Sequence, residues 1–108
     1  MDAALRAIAE PHRREILRLV WSRELPAGDI AAHFDVTRPA ISQHLRVLAG
    51  AGLVSERRDG TRRFYAARRE SLAELRAYLE TFWDDRLRRL KAVAEAEERG
   101  DAHARHKH

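Results

Sequence analysis

The chain of 108 residues contains no cysteine and no long apolar run. Without cysteine it can form neither a disulfide nor a thiolate metal site, and nothing argues for an oxidising compartment. The first twenty residues carry charges throughout. No apolar segment approaches the roughly 20 residues that a membrane span needs. We therefore expect a cytoplasmic, single-domain protein with no membrane partner.

Catalytic signatures are also missing. The sequence contains no glycine-rich phosphate loop, no HExxH zinc motif and no carboxylate pair in an evident cleft. The four serines, at positions 22, 42, 55 and 71, all have better structural explanations than nucleophilic catalysis. We therefore expect neither enzymatic activity nor a cofactor.

Acidic residues are scarce in the middle of the chain. Between positions 37 and 69 there are eight arginines and only two acids, Glu56 and Asp59. The net charge of this segment is therefore higher than the formal net charge of the whole chain, which is +4. A basic middle with near-neutral ends is typical of a surface that meets a polyanion. A merely solvated arginine face is the alternative that charge alone leaves open.

Helical periodicity predicts three helices before residue 36. The first covers about residues 3–9, and the second begins at Pro11, where proline is tolerated, and runs to about Ser22. Pro26 is placed to begin a shorter third helix. The predicted buried face of the second helix consists of Ile16, Leu17, Val20 and Trp21.

A fourth helix is predicted between Thr37 and the glycines at positions 50 and 52. Thr37 is a suitable N-cap, with proline following in the first turn. Ile41, Leu45 and Leu48 recur at the spacing of one buried face, which leaves polar side chains on the other.

The hydrophobic period changes after this helix. Leu53-Val54 and Phe64-Tyr65 have strand character, and Asp59-Gly60 between them is a strong hairpin signal. These residues predict a two-stranded antiparallel ribbon.

A long final helix is predicted from about Ser71 to Glu98. At roughly 40 Å it is too long for so small a core to cover, so we expect its surplus apolar stripe to pack against a second copy of the chain. The predicted domain thus covers residues 1–98, followed by a flexible polar tail at 99–108. Candidate interface residues are Leu5, Ile8, Leu75, Leu79, Phe82 and Trp83.

Two other interpretations of these apolar residues stay open. All six could belong to the core of their own chain. Phe82 and Trp83 could instead line a ligand pocket, although aromatic residues at helical spacing on a self-associating helix are usually interface core.

The order of these elements resembles the ArsR/SmtB-type transcriptional repressors over roughly residues 3–95. The segments that carry the resemblance are ALRAIAEPHRREIL, AGDIAAHFDVTRPAISQHLRVLAGAGLV and RRDGTRRFYA. The segment YLETFWDDRLRRLKAVAE is further similar to a cysteine-free subgroup of that family. The resemblance implies a mainly α, dimeric winged helix-turn-helix with a two-stranded β-wing.

The fourth helix is the predicted DNA-recognition element, because an α-helix fits the major groove and its N-terminal side chains reach base edges. Arg38 can pair with guanine and Gln43 with adenine, while Thr37 can cap the helix and offer its backbone to phosphate. For His44 two interpretations stay open: a phosphate contact, or a half-buried histidine bonded to a neighbouring backbone group. The candidate contacts in this helix are Thr37, Arg38, Pro39, Ala40, Ser42, Gln43, His44 and Arg46.

The arginines around the hairpin turn are the second candidate contact. In a winged helix this ribbon lies beside the recognition helix and follows the DNA backbone. The alternative is a hairpin that only increases solubility, although such a hairpin more often mixes lysine and glutamate. The candidate contacts are Arg57, Arg58, Gly60, Arg62 and Arg63.

No metal site is expected, although the resemblance implies two familiar kinds. One needs a cysteine pair on the third helix, which here reads AGDIAAHF, and the other needs a histidine on the last helix, where residues 71–98 offer none. His103, His106 and His108 in the tail could bind a transition metal only loosely. Neither a metal effector nor a small-molecule effector is evident.

These observations together predict a homodimeric repressor that binds a palindromic promoter operator in double-stranded DNA. A winged helix that serves as a protein-interaction module is one alternative. A non-specific architectural DNA binder is the other, and it would show salt-dependent affinity without a preferred site.

Overall fold

The computed structural model describes the backbone of residues 1–105 and the side chains of that range except at 85 and 99–105. Two compact units divide the chain, one of residues 1–75 and one beginning at residue 76. The first unit contains four helices, a small sheet and the start of a fifth helix. Its complete helices are α1 (Asp2–Ile8), α2 (Pro11–Leu19), α3 (Ala27–Ala31) and α4 (Arg38–Gly50).

Side chains of α2 cap the C-terminal end of α1. The guanidinium of Arg13 donates from Nε to the Ala7 carbonyl at 2.6 Å and from Nη2 to the Arg6 carbonyl at 3.1 Å. Arg14 Nη1 donates to the Ile8 carbonyl at 2.8 Å. Because the last carbonyls of a helix lack partners within it, these bonds satisfy groups at the end of α1 and connect it to α2.

The sheet has three antiparallel strands rather than the expected two. β1 (Leu25–Pro26) pairs with β3 (Arg62–Ala67), which pairs in turn with β2 (Val54–Asp59), so β3 is central. The β2–β3 hairpin, called the wing below, turns at Gly60, whose φ of +64° favours glycine. β1 was missed because a two-residue strand has no period to detect. Its proline lies on an edge strand, where proline is tolerated.

The core of the first unit is apolar, and every helix and strand of that unit contributes to it. Ile41, Leu45 and Leu48 are each no more than 1% exposed, as predicted. Trp21 was predicted to be buried and is 45% exposed, because α2 ends at Leu19 and the tryptophan follows it. The buried residues are Ala4, Ala7, Ile16, Leu17, Val20, Leu25, Ile30, Ile41, Leu45, Leu48, Leu53, Val54, Tyr65 and Leu75.

The fifth helix, α5 (Arg69–Arg105), begins two residues before the predicted start. It also continues past Glu98, so residues 99–105, which were assigned to the polar tail, extend the helix. Residues 106–108, with two of the tail histidines, lie outside the described residues. Leu75 is 3% exposed and packs in the core of the first unit, which corresponds to the intrachain alternative for that residue.

The second unit consists of the remainder of α5 and exposes a row of apolar side chains. Within it, Arg76 pairs with Glu80 at 2.8 Å, and the rings of Tyr78 and Phe82 meet edge to face at 5.1 Å. In the part of the chain that the structure describes, no helix is long and apolar enough to cross a membrane. The exposed apolar residues are Leu79, Phe82, Trp83, Leu87, Leu90 and Val93.

Candidate nucleic-acid interface

The N-terminus of α4 is exposed and formed by the residues that the sequence indicated. Thr37 Oγ1 accepts a hydrogen bond from the Ala40 amide at 3.3 Å, so the threonine caps the helix as predicted. The first turn carries no acidic residue. Thr37, Arg38 and Pro39 are exposed and Ala40 is half-buried. Free backbone amides and the helix dipole make such a terminus attractive to a phosphate group.

The outer face of α4 continues this polar surface. Ser42, Gln43 and Arg46 are exposed, opposite the buried face of the same helix. Arg46 Nη1 donates to Gln43 Oε1 at 3.0 Å, a bond between neighbouring turns that orients the amide of Gln43. An exposed amide and two exposed guanidinium groups, those of Arg38 and Arg46, are suited to hydrogen bonding with the edges of base pairs.

The wing and α4 line one cleft. Its volume is about 460 Å³, and Arg38 Nη2 lies beside Gly28, where an added Cβ would be only 3.2 Å away. The cleft therefore joins one arginine of α4, Arg38, with two arginines of the wing, Arg62 and Arg63. The residues that line it are Pro26, Ala27, Gly28, Arg38, Ser42, Thr61, Arg62 and Arg63.

The four wing arginines differ in their surroundings. Arg57 donates from Nη2 to Glu24 Oε1 at 2.6 Å, and Arg63 Nε lies 3.5 Å from Glu56 Oε1. The hydrogen bonds from Arg57 lower the pKa of the Glu24 carboxyl and keep it ionised. Arg62 lies over the Phe64 ring, and Arg58 is exposed opposite Arg63 in the hairpin register. No local pattern in the sequence indicates an acidic partner for Arg57.

His44 faces α2 rather than the outer surface of α4. Its side chain is 18% exposed, and Arg13 Nη1 donates to its Nδ1 at 3.3 Å. Partial burial lowers the pKa of His44, so its neutral form is favoured near pH 7. This corresponds to the half-buried interpretation, with a side chain rather than a backbone group as the partner.

His44 also approaches two residues that sequence reasoning did not consider as a group, Glu10 and His12. One potential ligand atom from each of the three lies within 4.8 Å of the others. Partial burial raises the pKa of Glu10, but hydrogen bonds from His12 and the Arg13 amide outweigh this and the pKa is lowered overall. Among the residues that the structure describes, this is the one group of donors placed to hold a metal ion.

The geometry defines a class of protein. A short helix α3, a tight connection and an exposed polar helix α4, followed by an arginine-rich hairpin, form a winged helix-turn-helix DNA-binding domain. The mainly α fold with a β-wing is thereby confirmed, with the short strand β1 as an addition.

Comparison with known proteins identifies the family. The model of the bacterial regulatory protein arsR family matches residues 10–56. The chain is 44% identical over 82 residues to the HTH-type transcriptional regulator Rv2034 of Mycobacterium tuberculosis, covering 76% of this chain and 77% of that one. The protein belongs to the ArsR family of transcriptional regulators, which confirms the resemblance.

Two further relatives have informative descriptions. The transcriptional repressor SdpR of Bacillus subtilis is 41% identical over 66 residues, which cover 61% of this chain and 73% of that one. A solved structure from Mycobacterium bovis, Mb0332, is described as a homodimeric winged helix-turn-helix DNA-binding domain. It is 31% identical, covers 77% of each chain and superimposes with a TM-score of 0.62.

Proposed function

We propose that this regulator is a homodimeric repressor that binds a palindromic operator in promoter DNA. The observation that carries the proposal is the cleft in which α4 and the wing bring Arg38, Ser42, Arg62 and Arg63 together. In the proposed complex both elements contact one duplex, with α4 in the major groove and the wing along the backbone. The protein would act in the cytoplasm, where promoter DNA is found in a bacterium.

The proposed contacts fall into two groups with different roles. The side chains of Arg38, Ser42, Gln43 and Arg46 contact base edges and determine sequence preference. Phosphate contacts determine affinity and its dependence on salt. They come from Arg58, Arg62, Arg63, the backbone at Gly60, and the first turn of α4 at Thr37, Pro39 and Ala40. Arg57 and His44 are left out of both groups, because Arg57 donates from Nε and Nη2 to Glu24 and His44 faces α2, where Arg13 donates to its Nδ1.

Dimerisation is proposed to use the exposed apolar row of α5. Leu79 is 43% exposed, Phe82 58% and Trp83 60%, which is costly for large apolar side chains in water. Leu5 and Ile8 on α1 are half-buried and keep part of their surface available. A two-fold dimer would place two α4 helices about 34–36 Å apart, one turn of DNA, which is why the operator is expected to be palindromic.

Repression is proposed to result from occupancy, since a dimer bound across a promoter excludes polymerase. The description of SdpR as a repressor supports this direction of regulation. The protein-interaction alternative is disfavoured by the exposed polar face of α4, which carries no acidic residue in its first turn and no apolar cover.

Selection from a pool of random duplexes, at a stated salt concentration, tests the proposal. The expected result is one enriched sequence with two-fold symmetry and half-sites one helical turn apart. Equal retention of all duplexes with a steep salt dependence would instead identify an architectural DNA binder. Failure to retain DNA at low salt would favour the protein-interaction module.

A further inference from the structure

Glu10, His12 and His44 meet where the N-terminus of α2 packs against the middle of α4. His12 Nδ1 lies 2.9 Å from Glu10 Oε1, and His44 Nδ1 lies 3.8 Å from Glu10 Oε2. The carboxylate thus lies between two imidazoles that are 32 residues apart in the sequence. Two histidines and one carboxylate are a donor set that zinc and similar divalent ions use in proteins.

The separations between these donor atoms suit a small metal ion. Zinc bonds of 2.0–2.2 Å in tetrahedral geometry place neighbouring ligand atoms about 3.3 Å apart. The separations of 2.9 Å and 3.8 Å, which end on different oxygens of the Glu10 carboxylate, bracket that value, and one donor atom from each residue lies within 4.8 Å of the other two. Modest side-chain rotations would therefore bring the three donors onto one ion.

The surroundings favour an ion that keeps one open position. The side chains of Glu10, His12 and His44 are 29%, 41% and 18% exposed, so water can reach the cluster. The Phe34 ring lies 5.7 Å from the His12 ring and forms an apolar neighbour on that side. Three protein ligands with a fourth position taken by water are a frequent zinc arrangement.

Arg13 is the group that opposes a cation here. Its Nη1 lies 3.3 Å from His44 Nδ1, and its charge disfavours a second positive charge nearby. The same guanidinium is held independently by the carbonyls of Ala7 and Arg6. Arg13 can therefore release His44 and keep its other bonds, so it reduces the affinity of the cluster for a metal ion without blocking it.

We propose that Glu10, His12 and His44 form a binding site for a divalent transition-metal ion of the zinc class. The ion connects the start of α2 to the recognition helix and takes the place of the Arg13 contact on His44. The proposal concerns metal binding alone and does not depend on whether the protein represses transcription.

Zinc titration against a chromophoric chelator tests the site in the full-length protein. His103, His106 and His108 are first replaced by alanine, so that the tail cannot contribute. In that parent protein one zinc ion per chain is expected. Glu10→Gln and His12→Asn should each weaken binding at least about tenfold, because each removes one ligand of three. His33→Asn is the matched control, since His33 bonds to the Asp29 carbonyl outside the cluster.

Both substitutions are chosen to preserve folding. A glutamine can still accept from the Arg13 amide at the start of α2, and an asparagine can still donate to residue 10. Equal zinc affinity in the parent, Glu10→Gln and His12→Asn proteins would overturn the proposal.

Imidazole ¹⁵N chemical shifts in the otherwise unsubstituted parent provide a second measurement that needs no change in the cluster. Zinc should shift the ring nitrogens of His12 and His44 and leave those of His33 unchanged. The absence of shifts at His12 and His44 would refute the site even if a variant failed to fold.

Discussion

Arg57 on the wing donates hydrogen bonds to the carboxylate of Glu24, a residue 33 positions earlier that directly precedes β1. Nη2 donates to Oε1 at 2.6 Å, and Nε lies 3.1 Å from each carboxylate oxygen. The same guanidinium lies 4.6 Å from the centre of the Phe64 ring. This arrangement joins the wing to the chain segment before the sheet, so we propose that Arg57 positions the wing while the other wing arginines contact DNA.

The first prediction separates these two roles by salt dependence. Arg62→Ala should weaken binding to any duplex and reduce the slope of log K against log salt by about 1, the value for one phosphate contact. The double variant Glu24→Gln/Arg57→Gln removes the pair at constant net charge and should keep the slope. Fluorescence anisotropy over a salt series measures both. A slope reduced equally in the two proteins would place Arg57 on phosphate.

The second prediction concerns base recognition by α4. Arg38→Ala and Gln43→Ala should each reduce the preference for the selected operator over a scrambled duplex by about 1–3 kcal/mol, the value of one bidentate base contact. Arg62→Ala is the matched control, because it should lower both affinities and leave their ratio unchanged. Competition binding with the two duplexes at one salt concentration gives the ratios. An unchanged ratio in both α4 variants would rule out sequence recognition by these side chains.

The third prediction tests the cap of the recognition helix. Thr37→Val removes the hydroxyl that accepts from the Ala40 amide and keeps the shape of the side chain. The free energy of unfolding should fall by about 1 kcal/mol, the usual contribution of an N-cap. Thr37→Ser, which keeps the hydroxyl, should be close to the original protein in urea denaturation. A valine variant as stable as the serine variant would show that this bond contributes nothing.

The fourth prediction concerns self-association through α5. Phe82→Glu and Trp83→Glu each place a charge in the exposed apolar row and should shift the protein from dimer to monomer in sedimentation experiments. Ala77→Glu adds the same charge to the same helix at another exposed position, and it should leave the dimer intact. If all three variants sediment like the parent, the dimer forms elsewhere or does not form.

Local sequence patterns were sufficient to predict the features that a single helix or hairpin determines by itself. The buried face of α4, its threonine cap and the glycine of the wing turn all depend on residues within a few positions of one another. Periodicity failed for β1, which has two residues, and for Trp21, because the end of α2 depends on tertiary packing.

The polar contacts between distant segments were beyond such reasoning for a different reason. The partners of Arg57 and of His44 lie more than 30 positions away. Side-chain pairs on one helix or one hairpin recur at fixed spacings, whereas a pair that crosses the fold depends on how its elements pack. Glu10 and His12 similarly show no sign in the sequence of their approach to His44.

The core of residues 1–75 lies within one chain, whereas the proposed operator-binding form is a dimer, so the amount of dimer depends on the concentration of the protein. Residues 1–75 complete their buried core within a single chain, with Leu75 of α5 as a member. The proposed pairing through later residues of α5 joins two chains, so it is second-order in chain concentration. When monomers predominate, the concentration of operator-binding dimers increases with the square of the chain concentration. A twofold change in synthesis of the protein would then change the dimer concentration about fourfold.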